Sequence, residues 1–243
     1  RLPHAERFDR DARAVTLETW FARGADADGV ISAHRVRSQS AIELGIEQGR
    51  PYGLLETAGG VTWQVGGSGR AGVLPRGEWH HLALVFNPAS MALTLYLDTA
   101  IVFSITTDEH PVTGTGTFFI GGDGTAATGR VLESGYMDEF RVWGNARTAL
   151  QLQTAKHELV PSPPADPAGQ DLLAYYRFDD GGMSIEDFVF PMHFHDPALR
   201  NRAPRYALRA ADYGVVDQDP ANGTADWVYG TPDGPTPPVI LGP

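Results

Sequence analysis

The sequence predicts an all-β, antiparallel sandwich with one short helix and a Pro-rich C-terminal extension. Three observations carry that class. Up to Val160, β-branched and aromatic runs recur, and Gly, Asp, Asn and Pro clusters separate them; beyond it, 13 of the 18 prolines fall between Pro161 and Pro243. Strands are expected near 14–21, 29–33, 41–47, 52–57, 61–66, 79–86, 92–98, 101–106, 117–121 and 135–143. Along Met91–Asp98 the odd positions are apolar and the even ones mixed, so one face meets a core and the other does not. A helix is expected over 148–157, where Thr148 can cap the first turn and Gln151 completes a capping box. Leu150, Leu152 and Leu159 are expected to pin it to the sandwich.

The same pattern divides the chain. Residues 1–160 form the sandwich. Pro161, Pro163, Pro164 and Pro167 make 161–170 an extended connector, because they donate no backbone hydrogen bond and restrict the residues before them. Residues 171–243 form an extension, expected to dock one strand on the sandwich and continue as an irregular tail.

Composition removes several function classes. The longest purely apolar run, Leu82–Phe86, is far too short to span a bilayer. A net charge of -11 repels phosphate backbones and anionic membrane surfaces, so neither nucleic acid nor membrane insertion is expected. With no cysteine, disulfides, thiolate metal sites and cysteine nucleophiles are absent together. The chain opens at Arg1 without an apolar leader, and the expectation is a piece of a larger protein.

Specific motifs narrow the fold. Gly77-Glu78-Trp79-His80-His81-Leu82-Ala83-Leu84-Val85-Phe86 is followed at hairpin distance by Leu93-Thr94-Leu95-Tyr96-Leu97-Asp98, and later by Gly135-Tyr136-Met137-Asp138-Glu139-Phe140-Arg141-Val142-Trp143. With Val15–Phe21 before them and Asn145–Thr148 after, these segments resemble the laminin-G-like jelly-roll domain of the concanavalin A-like lectin/glucanase superfamily. The resemblance covers about 8–158 and implies an antiparallel jelly-roll β-sandwich. Asp171–Gly182 is similar to a strand that opens a unit of such proteins, or one that folds back on its own unit. Asp98-Thr99 departs from the family's Asp-Gly turn, so a wider loop is expected there.

The resemblance implies a metal at Asp138. In many members calcium bridges the start of the last core strand and neighbouring loops; the other reading is that Asp138 closes a loop through backbone hydrogen bonds alone. Glu139 is expected to alternate to the opposite face. Trp79, Trp20 and Trp143 are expected in the packing. Tyr52 and Trp63, beside the glycine pairs Gly59-Gly60 and Gly66-Gly67, are the candidate ligand-binding rings.

Weaker motifs are Asp26-Ala27-Asp28-Gly29, Asp179-Asp180-Gly181-Gly182 and the His193/His195 pair, none with a complete ligand set. Glu43 and Glu47 share a strand face separated by Gly45, and read as a solvated edge. The E-x-D-x-x-E and E-x-D-x-E arrays of the superfamily's glucanases are absent, as are a G-x-S-x-G elbow and a phosphate-cradling loop. The expected function is a non-catalytic binding or adhesion module of a larger secreted or cell-surface protein. It would recognise carbohydrate or a protein partner through loops at one sandwich edge, with calcium assisting, and sit beside neighbouring domains of its parent chain. A structural spacer and a glycoside hydrolase are the alternatives.

Overall fold

A computed structural model describes residues 14–25, 28–69, 71–125, 130–132, 134–158 and 172–178, together with the backbone of 227–229. Two antiparallel sheets stack face to face. The first, sheet A, runs β11(Leu172–Tyr176), β10(Gly135–Trp143), β1(Val15–Arg23), β6(Trp79–Asn87), β7(Ala92–Leu97) and β8(Ala100–Thr106), with β12(Trp227–Tyr229) also paired to β10. The second, sheet B, runs β5(Thr62–Gly66), β4(Arg50–Glu56), β3(Gln39–Glu47), β2(Gly29–Val36) and β9(Thr117–Ile120). All ten strands expected over 14–143 are present. Among the described residues no helix is long and apolar enough to cross a membrane.

Alternation places the core between the sheets. Leu82, Leu84 and Phe86 of β6 and Leu93 and Leu95 of β7 meet Ile42, Leu44 and Ile46 of β3 and Leu55 of β4 in one apolar cluster. Gly53 of β4 provides room for this contact, because a Cβ there would lie 2.2 Å from the Leu84 side chain. The residues between these apolar positions face outward, which gives each sheet an outer face with its own chemistry.

The helix α1(Ala149–Ala155) covers the outer face of sheet A. Its capping box forms as expected: Gln151 N–H donates to Thr148 Oγ1 at 3.2 Å and Thr148 N–H donates to Gln151 Oε1 at 2.8 Å. Leu152 is buried against Ala83, Val85 and Tyr96. Leu150 departs from expectation, being 74% exposed, because one turn of a short helix can direct only one of two leucines at the sheet. Leu159 lies outside the described residues.

One further expectation changes. The Asp98-Thr99 connection is a two-residue turn, with Leu97 paired to Ala100 and both turn residues at positive φ, 50° and 72°. Tertiary hydrogen bonds hold what glycine would otherwise supply: Asp98 accepts from His81 N–H at 2.9 Å and meets His80 Nδ1 at 2.8 Å, while Thr99 Oγ1 donates to Gln153 Oε1 of α1 at 2.5 Å. The strand beginning near Asp171 folds back. β11 pairs with β10 from Phe140 to Trp143, and Leu173, Ala174, Tyr176 and Phe178 join the central core.

Candidate functional site

The outer face of sheet B is centred on Glu43. Alternation sends Glu43, Gly45 and Glu47 outward while Ile42, Leu44 and Ile46 enter the core. β3 lies between β2 and β4, so Glu43 is not at an edge and is 0% exposed, correcting the solvated reading. Its Oε1 accepts from Tyr52 O–H at 2.7 Å; its Oε2 accepts from Ser40 O–H at 2.9 Å and from Arg130 Nη2 at 2.9 Å. Ser40 N–H donates in turn to Glu56 Oε2 at 2.6 Å.

Gly45 is what lets Tyr52 reach Glu43. The two residues pair across β3 and β4, and a Cβ on Gly45 would lie 2.6 Å from the Tyr52 ring and 2.6 Å from the Gly29 carbonyl. The tyrosine therefore lies across the glycine with its hydroxyl on the carboxylate. Burial, and then the negative charge of Glu43, raise the Tyr52 phenol well above its ordinary pKa, so it stays a donor.

Arg130 completes the cluster from a distant loop. It donates to Tyr52 Oη at 3.3 Å, and its Nε stands 3.5 Å from Asp123 Oδ2. Asp123 is itself fixed by Thr125, whose N–H and hydroxyl donate to Oδ1 at 2.9 and 2.6 Å. The Arg130 side chain remains 45% exposed while Glu43 and Asp123 are buried.

Beside this cluster opens a cleft of about 340 Å³. Tyr52, Arg130, Glu47, Gln64 and Asp28 supply its polar lining, with Leu54 and Val131 among its apolar walls. Glu47 Oε2 accepts from Ser68 N–H at 2.9 Å and Asp28 Oδ1 accepts from Gly49 N–H at 3.0 Å, so both carboxylates are oriented by backbone.

The sequence-named residues fare differently. Tyr52 belongs to the cleft, though as a strand residue with its ring buried rather than one presented by a loop. Trp63 pairs with Leu55 and packs, half-buried, against the central core, and its indole N–H has no hydrogen-bond partner among the described residues. Trp79 lies 6.4 Å from the Tyr136 ring, and Trp20 and Trp143 are buried.

Asp138 lies on β10 in sheet A. Its Oδ1 accepts from Glu139 N–H at 2.9 Å, and its main-chain carbonyl accepts from Thr19 O–H at 2.8 Å. A bulge interrupts the alternation expected of Glu139: the register with β1 shifts between Glu18 and Trp20, and Glu139 has φ of 51°. Its carboxylate binds Arg141 Nη2 at 2.5 Å and the Tyr175 hydroxyl. Among the described residues no three His, Asp or Glu side chains converge where a metal could sit. Asp138 thus provides one carboxylate, and calcium there would need further oxygen ligands from elsewhere. Asp26, Asp179, Asp180, His193 and His195 lie outside the described residues.

Sequence reasoning missed Glu43 and Arg130. The signal available for Glu43 was Gly45 opposite Tyr52 once β3 and β4 pair; Arg130 carried none, being 87 residues from its carboxylate partner.

A two-sheet sandwich with a polar cleft on one outer face is the architecture of a ligand-binding domain. A laminin-G family model, described as the Concanavalin A-like lectin/glucanases superfamily, matches residues 1–153, and the chain belongs to that superfamily. No curated protein matches the chain. Among solved structures it is similar to a protein from Bacteroides ovatus assigned as a carbohydrate binding protein. That match is 21% identical, covers 77% of this chain and 51% of that one, and has a TM-score of 0.53. It also resembles a heptameric SAP-like pentraxin from Limulus polyphemus, at 18% identity, 58% and 69% coverage and a TM-score of 0.46. These likenesses concern the fold alone.

Proposed function

We propose that this domain is a non-catalytic binding module of a larger secreted or cell-surface protein, and that it recognises carbohydrate through the cleft on the outer face of sheet B. The observation that carries the reading is a polar site arranged in advance: Tyr52 seated over Gly45, hydrogen-bonded to Glu43 and held with Arg130 beside an open cleft. The segments at 28–29 and 130–131 border it, in keeping with loops at one end of the sandwich doing part of the recognition. The fold likeness to a protein assigned as carbohydrate-binding supports the ligand class.

The carboxylates support binding over hydrolysis. Glycosidase pairs stand about 5–5.5 Å apart in retaining enzymes and about 6.5–9.5 Å in inverting ones. Glu43 and Glu47 are four residues apart on one strand, roughly 13 Å along its axis. Both Glu43 oxygens already accept hydrogen bonds from protein donors.

Titration of an oligosaccharide panel into the full chain, with product analysis of the same mixtures, tests the proposal. Saturable binding without release of shorter sugars is expected. Release of reducing ends overturns the non-catalytic assignment, and silence across the panel returns the domain to a protein-binding or spacer role. Calcium is tested separately: a chelator should lower the wild-type melting temperature and leave an Asp138→Ala variant unmoved.

A further inference from the structure

The cleft's charge arrangement narrows the ligand. Among the described residues lining it, Asp28 and Glu47 bring carboxylates and Arg130 the one cation. That cation is already engaged, held by Glu43 at 2.9 Å and lying 3.5 Å from Asp123. Burial works against the Arg130 charge, but Glu43, Tyr52 and Asp123 together raise its pKa, so it is a permanent counter-ion to its own neighbours. Arg50, which pairs with Glu47 in the strand ladder, donates to the Ala71 carbonyl at 2.6 Å instead. Among the described residues, two carboxylates line the cleft and two more hold its one guanidinium.

An incoming sulfate or carboxylate would have to share an Arg130 that Glu43 and Asp123 already neutralise, or approach Glu47 and Asp28 with no counter-charge among the described residues. Either route is unfavourable for an anion. Hydroxyl donors meet the opposite situation. Glu47 and Asp28 each spend one oxygen on a backbone N–H, and their second oxygens have no partner among the described residues. Gln64 stands beside Glu47: a Cβ on Gly67 would lie 2.6 Å from Glu47 Oε2 and 2.7 Å from Gln64 Nε2. The cleft thus offers charged acceptors, an amide that both donates and accepts, and apolar contact from Leu54 and Val131. Hydrogen bonds from hydroxyls to ionised carboxylates are among the stronger ones.

Resting on the carbohydrate reading above, we infer that the cleft selects uncharged sugars, whose hydroxyls donate to Glu47 and Asp28, against sulfated or uronic-acid polymers.

The test compares neutral gluco-, manno-, galacto- and xylo-oligosaccharides with heparin and polygalacturonate, by calorimetry on the full chain at low and high NaCl. At least one neutral sugar should bind, with an affinity that salt leaves nearly unchanged, since no ion pair is formed. Glu47→Gln, which keeps the shape and removes the charge, should weaken that binding about tenfold or more, the scale of a charged hydrogen bond. Gln64→Ala, on the outermost strand of sheet B, gives a second reading that does not disturb the core. Salt-sensitive binding of heparin or polygalacturonate with no neutral ligand overturns this inference and leaves the carbohydrate reading standing. Neutral binding indifferent to both variants overturns the assignment to this cleft. Silence toward every sugar removes the carbohydrate reading and this inference together.

Discussion

Each sheet of this sandwich carries a fully buried glutamate on its outer face, and the two are treated differently. On sheet A, Glu18 accepts from Trp143 Nε1 at 2.8 Å, with Arg141 3.6 Å and His81 3.5 Å away. Arg141 then donates to the carbonyls of Ala155 and Glu158, and Trp20 Nε1 to that of Lys156, so the network satisfies the end of the covering helix and is closed off by it. On sheet B, Glu43 is held by an arginine whose side chain is 45% exposed, at the border of a cleft. The same device, a buried carboxylate with a guanidinium, staples a helix on one side and presents a prearranged surface on the other. A buried ion pair is therefore no pointer to function by itself; what covers it decides.

The comparison breaks most readily on sheet A. Arg141→Ala leaves Glu18 and Glu139 without their buried cation and frees the helix-end carbonyls. A loss of about 3–5 kcal/mol by chemical denaturation is expected, the cost of orphaning a buried charge. Acid should act through the same network. Burial would raise the Glu18 pKa, but contact with His81 and the charges of Arg141, His81 and Arg147 outweigh it and hold the pKa at about 2, against an ordinary 4.5. A lowered pKa contributes stability that is present above about pH 4.5 and lost as pH falls toward 2, here on the order of 3 kcal/mol. Glu139, whose pKa burial raises against the pull of Arg141, works in the opposite sense and offsets part of this. The denaturation midpoint of wild type should therefore fall more steeply with acid than that of Glu18→Gln.

On sheet B the matching perturbation is Gly45→Ala. The added methyl collides with the Tyr52 ring, at an expected cost of about 1–3 kcal/mol, and sugar binding should be lost from protein that remains folded at room temperature. The smallest effect concerns neither face. Thr99 is β-branched at positive φ, so Thr99→Gly relieves backbone strain and should raise stability by up to about 1 kcal/mol, less whatever the Gln153 hydrogen bond contributes.

Local chemistry made the scaffold legible. Alternation along Met91–Asp98 and the Thr148/Gln151 pair need only neighbouring residues, and both strand and capping box lie where the sequence places them. What the sequence conceals is long-range. Gly45 reads as a missing acidic residue between two glutamates until β4 lays Tyr52 across it. The Asp98-Thr99 turn reads as wide until His80, His81 and Gln153 are brought to it. The burial of Tyr175 and Tyr176 depends on β11 pairing with β10, from a point in the sequence past the prolines at 161–167. Of the candidate site, only Tyr52 was legible as a binding residue; Asp28, Glu43 and Glu47 stood in other roles, and Arg130 joins them from a segment that no spacing connects.

The most direct measurement is amide hydrogen exchange of the full chain with and without a bound neutral oligosaccharide. Recognition by the outer face of sheet B predicts new protection in β3, β4 and the segments around 28–29 and 130–132, with α1 and β10 unchanged. Protection confined to the helix-covered face, or none at saturating sugar, would contradict it.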